Sequence, residues 1–161
     1  APGLRRSFAS EKFPFLPKEY WKEARGEAIG RIKTDVNFES YASDIDPKCV
    51  ELTRENIYRA GMGKYIKAFE RDALKITTGG RRGTVVCNPP YGERLLSQEE
   101  CAALYKKLGS HFSALDSWQI YILSAREDFE RLYGRKADKV RKLYNGMIRC
   151  GFYQYFKRKN G

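Results

Sequence analysis

Four consecutive residues, Asn88-Pro89-Pro90-Tyr91, combine a side-chain amide, two rings that lock the backbone and an aromatic face. They follow the β-branched run "GTVVC", Gly83 to Cys87, which reads as a buried strand, so they sit at a strand's carboxyl end. That combination suits an amino group on a planar base. The lone pair of such a nitrogen is delocalised into the ring and is a poor nucleophile. Acceptors aimed at its N–H bonds hold it towards an electrophile and stabilise the positive charge that develops on nitrogen. The Asn88 side-chain carbonyl and the Pro89 main-chain carbonyl are two such acceptors. Pro90 fixes the loop through its locked φ, and Pro89 restricts Asn88 in turn. Tyr91 offers a face on which a flipped base stacks. The alternative is a strand-ending turn with a surface aromatic. Chance would produce an N/D/S-P-P-aromatic match on the order of once in a hundred or more chains of this length.

Two other acidic groups stand at the ends of strand-like runs: Asp44-Ile45-Asp46 after "ESYAS", and Asp72 after "YIKAFER". An acid at the end of an early strand accepts both hydroxyls of a ribose in dinucleotide sites. Ile45 beside it can pack on an adenine face. Asp72 can accept from an adenine amine, with the backbone N–H groups of Ala73 or Leu74 against the ring. Taken singly, each acid reads more readily as a helix cap or a loop residue.

The elements that position these groups alternate. Pro14 and Pro17 make residues 1–16 an extended arm, basic and aromatic, which leads to a helix from Pro17 through "KEYWKEARGEAIGRI". A second helix starts at Pro47 and stops at Gly61. A third follows Ser97, with Glu100 three residues on as a capping box. "WQIYILS" is a further strand and "REDFERLYG" a short helix. The end of the chain differs in kind, since Asn145-Gly146 between two strand-like runs signals an antiparallel hairpin. Strand–helix alternation implies an α/β fold with a mostly parallel sheet and ligands at the carboxyl ends of its strands.

With 161 residues the chain fits one domain. No apolar run reaches the length of a membrane span and no secretory leader opens it, so a soluble, cytoplasmic protein is expected. The four cysteines, Cys49, Cys87, Cys101 and Cys150, show no metal-ligand spacing and suit single thiols in a reducing compartment. The sole histidine, His111, lies in a helical stretch without an evident partner and reads as structural; no metal is expected. The formal net charge of +11 favours polyanion partners. Candidate phosphate contacts are Arg5, Arg6, Lys12, Arg81, Arg82, Arg94, Arg135, Lys136, Lys139 and Lys142.

"NPPYGERL" resembles the catalytic motif of S-adenosylmethionine-dependent amino methyltransferases. With "APGLRRSFASEKFPFLPKEYWKEAR", "SDIDP", "YKKLGSHF", "WQIYILSA" and "RKADKVRKLYNGMI", nearly the whole chain resembles the bacterial 23S rRNA guanine-N2 methyltransferases of the RlmL type (UPF0020), often labelled N6-adenine-specific DNA methylases. The resemblance implies a Rossmann-like class I methyltransferase fold, S-adenosylmethionine as cofactor and RNA, 23S rRNA above all, as partner. It puts Asp44 and Ile45 at the ribose and adenine positions, Asp72 with Ala73 at the adenine-amine position, and Asn88, Pro89, Pro90 and Tyr91 in the catalytic loop, with Asn88 also facing the cofactor.

Two departures accompany it. The family's glycine-rich turn after its first strand, commonly D-P-x-C-G-S-G-T, has no counterpart here, because Gly61-Met62-Gly63 and Gly79-Gly80 sit in the wrong order. The family's N-terminal RNA-binding THUMP region has none either. The expectation is a truncated methyltransferase domain lacking a central strand, with open sheet edges that favour self-association, and weak or absent cofactor binding and turnover by the chain alone. Adenine N6 of DNA is the alternative substrate. A basic RNA-binding module without catalysis is the alternative of another class.

Overall fold

The computed structural model describes residues 3–4, 6–91, 96–115 and 117–156. Candidates Arg5 and Arg94 lie outside the described residues. The chain divides into two compact units, one ending at Ser40 and the other beginning at Tyr41.

In the first unit a 3-10 turn, Ala9–Lys12, precedes helix α1, Lys18–Gly30. Pro17, just ahead of α1, supplies the φ of −56° that suits a helix start. The turn is fixed by Glu11, whose Oε1 accepts from the Phe8 N–H at 2.9 Å and from Arg25 at 2.5 Å. Phe8 stacks on Trp21 with ring centroids 5.5 Å apart. The expected arm thus contains a folded turn.

The second unit runs β1 (Ser40–Asp44), α2 (Pro47–Arg59), β2 (Ile66–Glu70), a 3-10 turn (Ala73–Lys75), β3 (Gly83–Cys87), α3 (Gln98–Ser113), β4 (Trp118–Ser124), α4 (Phe129–Tyr133), β5 (Lys139–Asn145) and β6 (Ile148–Tyr155). Local chemistry sets the boundaries. Asp46 caps α2 by accepting from the Lys48 N–H at 2.8 Å, and Gly61 follows with φ +67°. Ser97 and Glu100 form the expected capping box on α3, at 3.2 and 2.7 Å.

The strands form two sheets, β1-β2 and β3-β4-β6-β5. Asp44 ends β1 and its carbonyl accepts from the N–H of Arg71, just past β2, at 2.9 Å; the two strands therefore run the same way. β3 and β4 are also parallel, with Val85 opposite Ile120. The ladders of β6 with β4 and with β5 are antiparallel. The parallel strands are thus split between two sheets, and no ladder joins β1 to β3 among the described residues. One edge of β3 is open, with Val86 72% exposed.

The terminal hairpin is present with its turn shifted by one residue. Asn145 pairs with Ile148, which leaves Gly146-Met147 as the loop. Only Gly146 has positive φ, at +61°. A type I′ turn over Asn-Gly needs two positive φ values, whereas type II′ needs one, at the first loop position.

The core lies between the four-stranded sheet and α3 with α4. Tyr105, Leu108 and Phe112 of α3 meet Ile120, Ile122, Tyr153 and Tyr155 of the sheet and Phe129 and Tyr133 of α4. Phe129 approaches the Tyr153 ring at 4.4 Å and the Tyr105 ring edge-on at 5.1 Å. Each such pair contributes about 0.5–1.5 kcal/mol beyond the area it buries. By contrast, α2 buries only Val50.

Candidate active site

Asn88 leaves the end of β3 exposed, while Pro89 behind it is buried and Pro90 and Tyr91 are half-buried. The loop is anchored from below. The Pro90 carbonyl accepts from the Tyr105 hydroxyl at 2.9 Å and from the Cys101 thiol at 3.4 Å. The Tyr105 oxygen lies 3.2 Å from Ser124 Oγ, which itself accepts from the Arg126 N–H. Each hydroxyl has one proton, and Tyr105 spends its own on Pro90, so Ser124 donates to Tyr105. Burial pushes the Tyr105 phenol up to about 12, which keeps it a donor at neutral pH. Arg126 is held in turn by both carboxylate oxygens of Asp128, at 2.8 and 2.9 Å, and by Gln98. These charge-assisted bonds fix the end of β4 beside the loop.

Removing the Tyr105 hydroxyl leaves Ser124 without its acceptor and the Pro90 carbonyl with only a thiol. Tyr105→Phe therefore lowers the unfolding free energy by about 1–2 kcal/mol. Urea unfolding reads this as a lower midpoint at constant slope. An unchanged midpoint would mean that the anchor carries no energy.

In front of the anchor, the Tyr91 hydroxyl donates to Asn88 Oδ1. Burial raises the Tyr91 pKa, so this donor also stays protonated at neutral pH. The amide oxygen has a second lone pair, which leaves one site for a substrate N–H. Tyr91, expected only as a stacking face, also orients the amide.

At the other sheet, Asp44 is exposed, and its Oδ1 accepts from the Asp46 N–H at 2.9 Å. Ile45 beside it is 69% exposed, open to an apolar ligand face. Asp72 caps the 3-10 turn, its Oδ1 accepting from the Leu74 N–H at 2.9 Å. Leu74 is thereby engaged, and of the two N–H groups expected to meet a ring only that of Ala73 remains. Asp44 and Asp72 are brought to neighbouring strand ends by the Arg71–Asp44 bond, while Asn88 stands on the other sheet. The 3-10 turn connects the two: Ala73 and Leu74 pack against the core cluster, and His111 Nε2 of α3 donates to the Ile76 carbonyl at 2.9 Å. His111 is structural, as expected.

The candidate phosphate contacts separate. Arg135 pairs with Asp138 at 3.1 Å and covers the Tyr155 ring, and Arg6 lies over Phe8. Lys136, Lys139 and Lys142 are exposed. Tyr105, Ser124 and Cys101 were not among the sequence candidates. Nothing in their spacing marks them, since a buried Tyr between Leu104 and Leu108 reads as core.

The fold is the Rossmann-like one of class I S-adenosylmethionine-dependent methyltransferases. Residues 1–154 match the family model "UPF0020: RMKL-like, methyltransferase domain", and the chain belongs to that family. It is 40% identical over 158 residues to "Putative RNA methyltransferase YpsC" of Bacillus subtilis (strain 168), covering 98% of this chain and 41% of that protein. It is 36% identical over 160 residues to "Ribosomal RNA large subunit methyltransferase K/L" of Shewanella baltica (strain OS185), covering 96% of this chain and 23% of that protein. The chain thus spans well under half the length of the curated relatives it matches. Among solved structures, SMU.472, described as "a putative methyltransferase complexed with SAH", superposes with a TM-score of 0.90 at 34% identity, over 99% of this chain and 42% of that one. A "predicted N6-adenine-specific DNA methylase" from Listeria monocytogenes str. 4b F2365 superposes with a TM-score of 0.83 at 37% identity, over 98% of this chain and 40% of that one.

Proposed function

We propose that this chain supplies the base-holding loop and the adenosyl-binding edge of a methyltransferase that modifies an exocyclic amine of RNA, specifically guanine N2 of 23S rRNA. The observation that carries the reading is the Asn88 amide, exposed at the end of β3 on a loop whose Pro90 carbonyl is bonded to Tyr105 and Cys101. The names of the Bacillus and Shewanella relatives support RNA, and ribosomal RNA in particular.

The residues present fit the adenosyl end of S-adenosylmethionine. Asp44 and Asp72 each commit one oxygen to a local backbone N–H and keep the other for a ligand hydroxyl or amine. Ile45 and Ala73 would flank the adenine. When bound, the cofactor supplies an electrophilic methyl group on a sulfonium. On the protein side, Asn88 Oδ1 and the Pro89 carbonyl each hold one N–H of the base amine, which turns its lone pair outwards. They stabilise the charge on nitrogen until a proton leaves for solvent. The Tyr91 ring stacks on the base while its hydroxyl fixes the Asn88 amide. On this reading residues 1–16 are the basic and aromatic arm of the sequence and residues 17–161 its α/β part.

The test is to incubate the natural protein with ribosomal RNA from cells lacking its gene and labelled S-adenosylmethionine, then to map the modified nucleoside by mass spectrometry. N2-methylguanosine in 23S rRNA is expected, and the 161-residue chain run alongside should give no incorporation. N6-methyldeoxyadenosine in DNA offered in a parallel reaction would select the second reading, adenine N6 of DNA, which the name of the Listeria structure favours. Label in neither base would overturn both.

A further inference from the structure

The hairpin of β5 and β6 has an unusual charge distribution. Residues 139–156 contain Lys139, Arg141, Lys142 and Arg149 and no acid. Every residue of β5 is exposed. Several arginines of this unit are tied to carboxylates: Arg54 to Glu51, Arg126 and Arg131 to Asp128, and Arg135 to Asp138. None of the four hairpin cations joins an ion pair among the described residues. An edge strand with unopposed cations is protected from pairing with other strands, but protection alone does not call for an exposed aromatic among them.

The register supplies that second feature. Tyr144 stands directly opposite Arg149, and Lys142 lies two residues along the same face. The Lys142 Nζ is 5.6 Å from the Tyr144 ring centroid, and Tyr144 is 63% exposed. Met147 at the turn is 96% exposed. One face of the hairpin therefore presents an aromatic ring between two cations, with a soft apolar residue at its tip. Such a face matches a single nucleic-acid strand, whose bases stack on aromatics while its phosphates meet the flanking charges. Asn145 and Cys150, on the opposite face of the same hairpin, lie within interaction range of the Tyr91 hydroxyl, so the Tyr144 face and the candidate loop meet at the tip of the hairpin.

We infer that the Lys142–Tyr144–Arg149 face of the terminal hairpin binds single-stranded RNA next to the target nucleotide, with Tyr144 stacking on a flanking base and the two cations gripping its phosphates. This rests on the reading that the Asn88 loop receives the target base. The strand then runs from that loop across the tip of the hairpin, and the unpaired base leaves less stacking to break when it enters.

The experiment measures binding of a short, unstructured, fluorescein-labelled RNA to the natural protein by anisotropy across a salt series, without cofactor, so that turnover plays no part. The double substitution Lys142→Gln/Arg149→Gln is expected to flatten the plot of log K against log salt by about 1.4. Tyr144→Ala is expected to weaken binding about tenfold at unchanged slope. The control Lys106→Gln/Lys107→Gln removes the same charge from the exposed face of α3 and should flatten the slope far less. Equal effects from the hairpin and control pairs would reduce the face to diffuse basic charge and overturn the inference, as would unchanged binding in Tyr144→Ala. Preference for a duplex DNA probe over the RNA would overturn it too. Methyl transfer by Asn88→Ala protein tests the catalytic loop in a separate assay, so failure here and failure of that loop are distinguishable.

Discussion

Asn88→Ala lowers the single-turnover rate constant for methyl transfer by the natural protein by about 10²–10³-fold, with RNA affinity changed by less than about threefold. The magnitude is that of removing one preorganised partner from a site where charge develops in the transition state. In the ground state the target amine is nearly neutral, so a carbonyl acceptor adds little to binding. In the transition state the nitrogen is cationic, and the same acceptor stabilises it strongly. The substitution also strips the Tyr91 hydroxyl of the oxygen to which it donates. Asn88→Asp keeps an acceptor oxygen in place and should retain part of the rate, which separates loss of the acceptor from loss of loop shape. Rapid-quench measurement with saturating cofactor reads all three proteins. An Asn88→Ala rate within a factor of a few of wild type would remove Asn88 from the chemistry and leave the loop a structural turn.

Legibility in the sequence followed how local the causes were. Helices α2 and α3 could be read because each carries its own start signal, Pro47 behind Asp46 and the Ser97/Glu100 box. Asp46 and Asp72 were open to two readings, and both serve as caps in the structure; the second oxygen of Asp46 also accepts from the Cys49 thiol at 3.8 Å. The hairpin turn was found but misplaced by one residue, since Asn145 takes the strand conformation that pairs it with Ile148. What escaped depends on side chains far apart in sequence. The Tyr105–Pro90 bond spans 15 residues, and Tyr105–Ser124 spans 19. Charge behaved the same way. Arg135 was a candidate phosphate contact, yet Asp138 neutralises it three residues on. Arg149 was not a candidate, and only the register of β6 against β5 puts it beside Tyr144. The division of strands between two sheets also lay beyond the sequence pattern, because alternation fixes the order of elements and not which of them pair.

Gly109→Ala is expected to destabilise the second unit by about 2–4 kcal/mol, although alanine is the better helix former. In an exposed helix interior this replacement stabilises by up to about 1 kcal/mol. Gly26 in α1 is such a position, with nothing within 4 Å of an added Cβ, so Gly26→Ala should raise the melting temperature slightly. At Gly109 an added Cβ would stand 1.9 Å from the Tyr133 carbonyl oxygen and 2.8 Å from its carbon. Those atoms are backbone at the end of α4, held by the Gly134 cap and by Tyr133 stacking on Tyr155 at 4.7 Å. No rotamer change relieves the overlap, so the two helices must separate, at the cost of an overpacked core. The opposite signs at the two glycines separate packing from helix propensity, and differential scanning calorimetry of both variants reads them directly. A Gly109→Ala protein that melts at or above the wild-type temperature would mean that α3 and α4 are not in the close contact described. The displacement also reaches the candidate site. Tyr105 lies four residues before Gly109, on the same face of α3, and its hydroxyl holds the Pro90 carbonyl. A shift of α3 on the order of an ångström breaks that bond and frees the loop carrying Asn88, at a site where misplacement by this amount costs about 10²-fold in rate. Methyl transfer by Gly109→Ala protein should therefore fall at temperatures where calorimetry still finds it folded.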